Sequence, residues 1–247
     1  MLSPEGLKAN YHQTPGMQPQ NQKNPPPHPA PNPPAPPALT PTQRVIVYID
    51  GFNLYFGMRQ KGWQRYYWLD IRKLAINLLR PGQQLVAVRY FTSRVGASPT
   101  DPDQHRRQNA YLEALGTLAD TSIQYGHYLS KLAQCRACGA TWTYNEEKMT
   151  DVNIAISLTS DAFRNQFDTA LLISGDSDLT GPLLQVKHLF PAKRIVVAFP
   201  PARSSARLLQ EAHAAFTISR KTLKDSQFPD RVAKPDGFVL QRPATWQ

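Results

Sequence analysis

Five short apolar runs, separated by stretches with helical periodicity, constrain what this chain can fold into. Runs of this length and apolarity predict strands that are buried on both faces. Strands that alternate with helices predict βαβ units, a parallel sheet and right-handed crossovers. We therefore predict an α/β fold with a central parallel sheet flanked by helices. The predicted strands cover 44–50, 85–92, 122–129, 168–174 and 193–199, with 215–219 as a shorter sixth.

The stretches between these runs predict the helices. Asp70 has the residue type of an N-cap, and Pro81 followed by Gly82 would end the helix that Asp70 begins. Residues 130–149 show neither the helical nor the strand period, so we predict an irregular segment there. The predicted helices cover 51–61, 71–79, 101–119, 151–164, 178–190 and 204–213.

The first 43 residues hold 13 of the 23 prolines. Repeated proline removes backbone donors and favours polyproline II, and this segment has few large apolar side chains to bury. We predict a disordered Pro-rich tail over 1–43, an α/β domain over 44–219 and a basic C-terminal tail over 220–247. P-x-x-P spacings in the first tail are of the kind that some protein partners bind, although such spacings also arise by chance in any proline-rich run.

Charge and composition narrow the class of protein. The chain carries a formal net charge of +10, of which the predicted α/β domain contributes +6. A basic surface favours a polyanionic partner, although the same charge also serves solubility. No apolar run approaches the roughly 18 residues of a membrane helix, and the N-terminus lacks the regions of a secretory signal. Two cysteines close together do not suggest a disulfide framework. We expect a soluble cytoplasmic protein without a membrane partner.

Four aspartates stand where predicted strands turn toward helices. Asp50, Asp176 and Asp178 follow strands, and Asp151 begins a helix whose apolar stripe lies on the same face. Ligands of open α/β sheets bind at the carboxyl ends of the strands, where the strand order reverses. Carboxylates gathered there would repel one another unless a cation lay between them, and Mg²⁺ or Mn²⁺ prefers such oxygen ligands. The alternative is that each aspartate only caps a helix.

Polar neighbours support the metal interpretation. Asn53 follows Asp50 closely and could hydrogen-bond to it. Asp176 and Asp178, with one residue between them, exceed what helix capping requires, and Ser174 and Ser177 could orient their carboxylates. Glu146 and Glu147, upstream of Asp151, could add an outer carboxylate, although a solvated turn explains them as well.

Cys135 and Cys138 have the spacing of one half of a zinc site. Such a site needs four ligands and no second cysteine pair exists, so His127, or less plausibly His105 or His188, would have to complete it. Free thiols or a local redox pair are the alternatives.

Basic and aromatic residues accompany the acidic set, as in proteins that bind single-stranded nucleic acid. Aromatic faces stack on unpaired bases and cations follow the phosphates. The alternative is that the tryptophan anchors the core and the arginines form a solvated face. The candidate RNA-binding residues are Arg59, Trp63, Arg65, Arg164 and Arg203.

At three motifs the chain resembles NYN-domain proteins of the LabA-like group, within the PIN-like nuclease superfamily. The motifs are 48–54 (YIDGFNL), 147–155 (EKMTDVNIA) and 172–179 (LISGDSDL), and the resemblance covers 44–219. It implies a Rossmann-like PIN fold, Mg²⁺ or Mn²⁺ bound by acidic residues, and ribonuclease activity. The site residues that it implies are Asp50, Asp151, Asp176 and Asp178, with Asn53 beside them, and the Cys135–Cys138 insert resembles one found in part of the family.

We therefore predict a metal-dependent ribonuclease that acts on single-stranded RNA, with Asp50, Asp151, Asp176 and Asp178 as catalytic metal ligands. The main alternative is a non-catalytic RNA-binding or regulatory adaptor with the same fold, although a pure binder gains nothing from an acidic pocket that faces phosphates. A phosphohydrolase with Asp50 as nucleophile ranks lower, because Phe52 stands where such enzymes usually carry a second aspartate.

Overall fold

The structure is a computed structural model that describes residues 42–96 and 101–247. Side chains of 128–131 and 143–147 lie outside the description. The described residues belong to one compact unit. The predicted disordered tail lies outside the described residues, apart from its last two positions.

The elements follow one another in the α/β alternation that the sequence predicts. The strands are β1 (Gln43–Asp50), β2 (Gln83–Thr92), β3 (Thr121–Tyr125), β4 (His127–Gln134), β5 (Thr141–Lys148), β6 (Thr169–Ile173), β7 (Arg194–Phe199), β8 (Ala214–Thr217), β9 (Arg231–Ala233) and β10 (Val239–Gln241). The helices are α1 (Gly51–Gln60), α2 (Ile71–Leu78), α3 (Gln104–Leu115), α4 (Thr150–Phe163), α5 (Thr180–Leu189), α6 (Ala206–Glu211) and α7 (Arg220–Asp225). Short 3₁₀ turns cover Gln64–Tyr66, Ser177–Leu179 and Ala244–Trp246.

Six strands form the central sheet in the order β3-β2-β1-β6-β7-β8, and every neighbouring pair is parallel. The strand order reverses between β1 and β6. The first half of the domain therefore winds outward from β1 in one direction and the second half winds outward from β6 in the other. This doubly wound order confirms the predicted Rossmann-like class and places a crevice at the carboxyl ends of β1 and β6.

The central strand β1 is buried on both faces, as its apolar run predicts. Val45, Val47 and Ile49 belong to one core cluster, whereas Ile46 and Tyr48 belong to the other. This alternation follows the two-residue period of a strand. The first cluster includes side chains of α1, α2, α3 and α7, and the second includes side chains of α4, α5 and α6.

The prediction of an irregular segment at 130–149 is wrong, and so is the single strand predicted at 122–129. The chain leaves the central sheet after β3, and β4 and β5 pair as a separate antiparallel hairpin from His127↔Lys148 to Gln134↔Thr141. A two-stranded ribbon has no second layer to bury a face against, which removes the apolar alternation by which strands are recognised.

Residues 220–247 differ from the expected basic tail, because they fold onto the first core cluster. Leu223, Phe228 and Leu240 are buried there. The indole nitrogen of Trp68 donates to the carbonyl oxygen of Pro229 at 2.8 Å, and Trp68 is fully buried. The apolar residues of this segment are spaced without a regular period among charged ones, so its composition hides their burial.

Along the described ranges, no helix has both the length and the apolarity needed to span a membrane.

Candidate functional site

The crevice at the carboxyl ends of β1 and β6 holds the buried aspartate Asp50. Asp50 is the last residue of β1 and is only 4% exposed. One carboxylate oxygen, Oδ1, accepts a hydrogen bond from the backbone amide of Asn53 at 2.9 Å, so Asp50 does cap α1. The other oxygen, Oδ2, accepts a hydrogen bond from the Ser174 hydroxyl at 2.9 Å. Capping therefore uses only one side of the carboxylate.

A second set of hydrogen bonds ties the loop after β6 to α1. The Asn53 side-chain oxygen accepts from the Gly175 amide at 2.9 Å, and the Ser174 hydroxyl accepts from the Asp176 amide at 3.0 Å. Asp176 in turn accepts from the Asp178 amide at 2.9 Å and caps the 3₁₀ turn. The structure thus joins Asn53 and Ser174 to the acidic loop, and their supporting role stays a prediction. Ser177 is exposed.

Charges around Asp50 are unbalanced. Burial is the main cause that raises the pKa of Asp50, to about 7, and the carboxylates of Asp151 and Asp176 raise it further. The hydrogen bonds from Asn53 and Ser174 act in the opposite direction. Asp50, Asp151 and Asp176 therefore lie within electrostatic range of one another, whereas Asp178 is exposed on the rim.

Asp151 reaches this edge from the other layer. It lies in the first turn of α4, which begins after Met149 adopts a left-handed conformation with φ of 77°. Non-glycine residues rarely adopt that conformation, so the chain turns sharply from the β4–β5 hairpin into the helix. Asp151 is half-buried. The side chains of Glu146 and Glu147, predicted as outer carboxylates, lie outside the described residues.

The donor set suits a hard divalent ion. Throughout the part of the chain that is described, no group of three or more His, Cys, Asp or Glu side chains is placed to hold a metal ion. Magnesium, however, is usually bound by one or two carboxylates together with waters and substrate phosphates. A buried carboxylate with raised pKa, flanked by two others, provides such a partial set, because a cation would relieve the repulsion among them.

Arg203 lies against the acidic loop. A Cβ atom added at Gly175 would lie 3.0 Å from the Arg203 Cβ, which is closer than side chains usually pack. The Arg203 Nε is buried, and it has no hydrogen-bond partner among the described residues. Buried guanidinium nitrogens usually have acceptors. Of the predicted RNA-binding residues, Arg203 is therefore the one that the structure places beside the aspartates.

A cavity of about 640 Å³ opens beside Asp50. Gly51 forms part of its wall, and the negative charge of Asp50 helps to raise the pKa of Tyr90, which burial raises most. The cavity size is that of a small-molecule site. Its aromatic and basic lining includes Tyr55, Tyr67, Tyr90, Tyr111, Trp246, Arg59 and Arg107.

The sequence reasoning missed most of this cavity. Tyr111 lies on α3, and Trp246, which comes from the segment taken as a tail, contacts it with ring centroids 6.1 Å apart. Tyr67 is 7% exposed, and its hydroxyl has no hydrogen-bond partner of normal geometry in the described structure. The aromatic run at 63–68 is a sequence signal for Tyr67, whereas no local pattern marks Tyr111 or Trp246.

The other predicted RNA-binding residues lie in different parts of the domain. Arg59 is exposed and lines the cavity. Trp63 is half-buried, with the guanidinium of Arg220 5.7 Å from its ring centroid, and Arg65 is exposed in the following 3₁₀ turn. Arg164 follows the last residue of α4, roughly 20 Å along the helix from Asp151. Arg164 therefore does not belong to the acidic edge.

Another buried carboxylate, Asp161 on α4, was not singled out from the sequence. It accepts two hydrogen bonds from Arg89, the one from Nη2 at 2.8 Å, and one from the Tyr48 hydroxyl at 2.8 Å. Its charge is offset inside the protein, which makes it a structural group.

Cys135 and Cys138 lie at the turn of the β4–β5 hairpin, which forms a sheet separate from the one that carries Asp50. The backbone amides of Cys138 and Ala137 lower the pKa of the Cys135 thiol, and the Cys138 side chain adds to this effect. His127, predicted to complete a zinc site, begins β4 at the opposite end of the hairpin.

The doubly wound sheet and the carboxylates at its strand-order reversal define the class of protein: a Rossmann-like α/β domain with an acidic site. A family model described as NYN domain matches residues 44–220, so the chain belongs to the NYN domain family, within the PIN-like nuclease superfamily. The resemblance read from the three motifs is confirmed at this level. Assignment to the LabA-like group stays a prediction.

Two individual likenesses are more distant. The chain is 29% identical over 190 residues to 6-hydroxy-3-succinoylpyridine 3-monooxygenase HspA of Pseudomonas putida (strain DSM 28022 / S16), a match that covers 64% of this chain and 59% of that protein. The chain thus matches less than two thirds of the length of this relative. A crystal structure of a protein of unknown function from Vibrio parahaemolyticus RIMD 2210633 aligns with a TM-score of 0.48 and 17% identity, over 76% of this chain and 98% of that chain.

Proposed function

We propose that the chain is a metal-dependent ribonuclease that cleaves phosphodiester bonds of single-stranded RNA at the crevice around Asp50. The observation that carries this proposal is the environment of Asp50: a buried carboxylate whose pKa is raised to about 7, oriented by two donors and flanked by other carboxylates. Apart from the helix cap, burial of a carboxylate among other carboxylates costs free energy that a bound cation would offset. Membership of the NYN domain family supports a nuclease function.

Asp50 and Asp176 would be the principal metal ligands in this proposal. Asp151 would bind the ion directly or through a water, and Asp178 would act from the rim. When bound, Mg²⁺ or Mn²⁺ would supply the positive charge that activates water and offsets charge on the phosphate. Ser174 and Asn53 hold Asp50 and the acidic loop in position, so the ligands need little rearrangement.

Arg203 and the cavity would bind the RNA itself. Arg203, whose Cβ lies beside Gly175, would contact a phosphate oxygen near the ion. Beyond it, the aromatic wall with Tyr67 and Trp246 would stack on an unpaired base next to the scissile bond. Arg59, at the mouth of the cavity, would contact a neighbouring phosphate. An unpaired base can enter such a cavity, whereas a base within a duplex cannot.

Manganese titration against a labelled single-stranded RNA, with Asp176→Asn and Asp225→Asn as a matched pair, tests the proposal. Asp225 is a partly exposed aspartate on α7 that pairs with Lys221. We expect manganese-dependent cleavage by the wild type and by Asp225→Asn. Asp176→Asn should lose cleavage but still bind RNA as tightly or more tightly. Activity near wild type in Asp176→Asn would contradict the proposal, and RNA binding without cleavage by the wild type would support the adaptor instead.

The cavity also favours a second candidate, an enzyme that acts on a small aromatic acid. The name of the Pseudomonas putida relative describes a monooxygenase of 6-hydroxy-3-succinoylpyridine. An aromatic ring with an anionic group fits a lining of tyrosines, Trp246 and Arg59. Thermal shift with pyridine carboxylates, compared between the wild type and Trp246→Ala, tests this candidate. Stabilisation that depends on Trp246, in a protein that fails to cleave RNA, would favour it over the nuclease.

A further inference from the structure

The turn of the β4–β5 hairpin carries both cysteines of the chain. Cys135 and Cys138 are free thiols, Cys138 is exposed and Cys135 is half-buried. They stand just beyond the last ladder pair, Gln134↔Thr141, and therefore at the tip of a separate two-stranded ribbon. Neither the acidic crevice nor the cavity uses them.

The backbone of this turn is folded around the Cys135 sulfur. The Gly139 amide donates to the Cys135 carbonyl oxygen at 2.9 Å, and the Cys135 amide donates to the Ala140 carbonyl oxygen at 2.8 Å. Gly139 has a φ of 71°, a backbone conformation that residues other than glycine rarely adopt. The amides of Ala137 and Cys138 are hydrogen-bonded to the Cys135 sulfur. A C-x₂-C turn closed by glycine, with amides directed at sulfur, is the form in which proteins present two thiolates to zinc.

Two thiolates are half of what a structural zinc ion requires. Within the described ranges, no third His, Cys, Asp or Glu joins Cys135 and Cys138 in a group able to hold a metal. His127 pairs with Lys148 at the base of the hairpin. Seven residue steps of strand separate it from Gln134, a distance of roughly 23 Å. His127 of the same chain therefore cannot reach an ion at the tip.

We infer that the hairpin tip is a shared zinc site, in which Cys135 and Cys138 of two copies of this chain bind one Zn²⁺ tetrahedrally. A second copy supplies the same preformed pair of thiolates, and a closed two-fold dimer places the ion on its axis. Cys138 and Gly139 are exposed, so the hairpin itself does not block the tip of a second copy from contacting them.

Trp142 gives this interface an apolar anchor. It is 52% exposed and lies opposite Ala133 in the ladder, so the two side chains share one face of the ribbon. Cys135 follows Ala133 by two residues, which places it on the same face. A contact between two copies at the metal site would bury this exposed tryptophan.

Metal binding and molecular mass, measured together on the full-length protein under reducing conditions, test the inference. Zn²⁺ is added to metal-free protein while light scattering reports the mass, and Co²⁺ replaces Zn²⁺ to report tetrahedral thiolate ligands by its visible absorption. We expect one metal ion for every two chains, a doubled mass, and a return to the monomer when a chelator is added.

Cys138→Ser should lose both the cobalt absorption and the doubled mass, whereas Arg136→Ser, in the same turn, should keep them. Trp142→Ser should weaken the zinc-dependent dimer about tenfold and keep the cobalt absorption. One ion per chain in a monomer, a dimer that persists in chelator, or a cysteine pair that forms a disulfide and binds no metal would overturn the inference. Cleavage of RNA by Cys138→Ser, assayed with Mn²⁺, reports on the Asp50 crevice separately.

Discussion

Asp50, at the end of β1, and Asp161, on α4, are buried to nearly the same extent, 4% and 3% exposed. Asp161 is paired inside the protein, because Arg89 donates two hydrogen bonds to it and Tyr48 donates a third. In the described part of the chain, the hydrogen bonds to Asp50 come from uncharged donors, Asn53 and Ser174, and the nearby carboxylates of Asp151 and Asp176 raise its pKa.

The difference separates a structural carboxylate from a functional one. Burying a charge costs free energy that only a close opposite charge recovers. For Asp161 that opposite charge is part of the fold. Among the described residues Asp50 has hydrogen bonds but no ion pair, and in the function proposed above a bound ion supplies the opposite charge. Burial by itself, which is equal for the two residues, does not distinguish them.

The largest expected effect is on catalysis. Asp50→Asn should lower metal-dependent RNA cleavage by at least a thousandfold, or ~4 kcal/mol of transition-state stabilisation, because the amide cannot bind the ion as a carboxylate does. Single-turnover cleavage rates at saturating enzyme measure this. Asp161→Asn is the matched control and should keep its activity per folded molecule. Equal losses in the two variants would erase the distinction between the two aspartates.

The pH dependence of stability should also depend on Asp50. Its pKa is raised from 3.8 to about 7 in the folded state, so between these values the folded protein keeps a proton that the unfolded chain has released. Without metal, the free energy of unfolding should therefore fall as pH rises, by up to ~4 kcal/mol between about pH 4 and pH 8. Urea unfolding in the presence of a chelator, over a series of pH values, measures the fall.

Asp50→Asn should flatten that part of the pH profile. Manganese binds the deprotonated carboxylate, so it should stabilise the wild type more at about pH 8 than at about pH 5. A profile that is the same in wild type and Asp50→Asn would mean that Asp50 ionises as an ordinary carboxylate.

Removing the partner of Asp161 should destabilise the fold. Arg89→Met leaves a buried carboxylate without its opposite charge, and we expect a loss of about 3 kcal/mol in the free energy of unfolding. Thermal or urea unfolding measures the loss. Because Asp161 then becomes the unpaired charge, the double variant Arg89→Met/Asp161→Leu should recover part of the stability. No recovery would show that the ion pair is not the cause.

The smallest expected effect concerns RNA binding. Arg203→Ala should weaken single-stranded RNA binding roughly tenfold and lower the slope of log K against log salt by about one, as the loss of one phosphate contact does. Arg164→Ala, an exposed arginine beyond the far end of α4, is the matched control. Titrations by fluorescence anisotropy at several salt concentrations compare the two. An equal effect of both variants would indicate diffuse attraction by a basic surface.

Most of the central sheet could be predicted from the sequence, because each of its strands is either apolar throughout or ends at a polar turn. β1 shows why this works: its residues from Val45 to Ile49 are all buried, and none of them is charged. The β4–β5 hairpin could not be predicted in the same way. Its strands lack a second layer, so no burial pattern marks them.

The candidate site was only partly accessible from sequence. Asp50, Asn53 and Ser174 were identified because they follow strands that meet at one edge. The pair of Asp161 with Arg89 was not, since 72 residues separate the partners and nothing local marks the contact. Trp246 was missed for the same reason, because its place in the cavity wall depends on how residues 220–247 return to the core.

The family match ends at residue 220, whereas the packing continues to Trp246. A fragment cut at the end of the match would keep all four aspartates and would uncover Trp68, whose indole nitrogen is held by Pro229. It would also remove one wall of the cavity beside Asp50. Expression of this protein as a minimal domain would therefore yield a truncated product that exposes its core and has lost part of its binding surface.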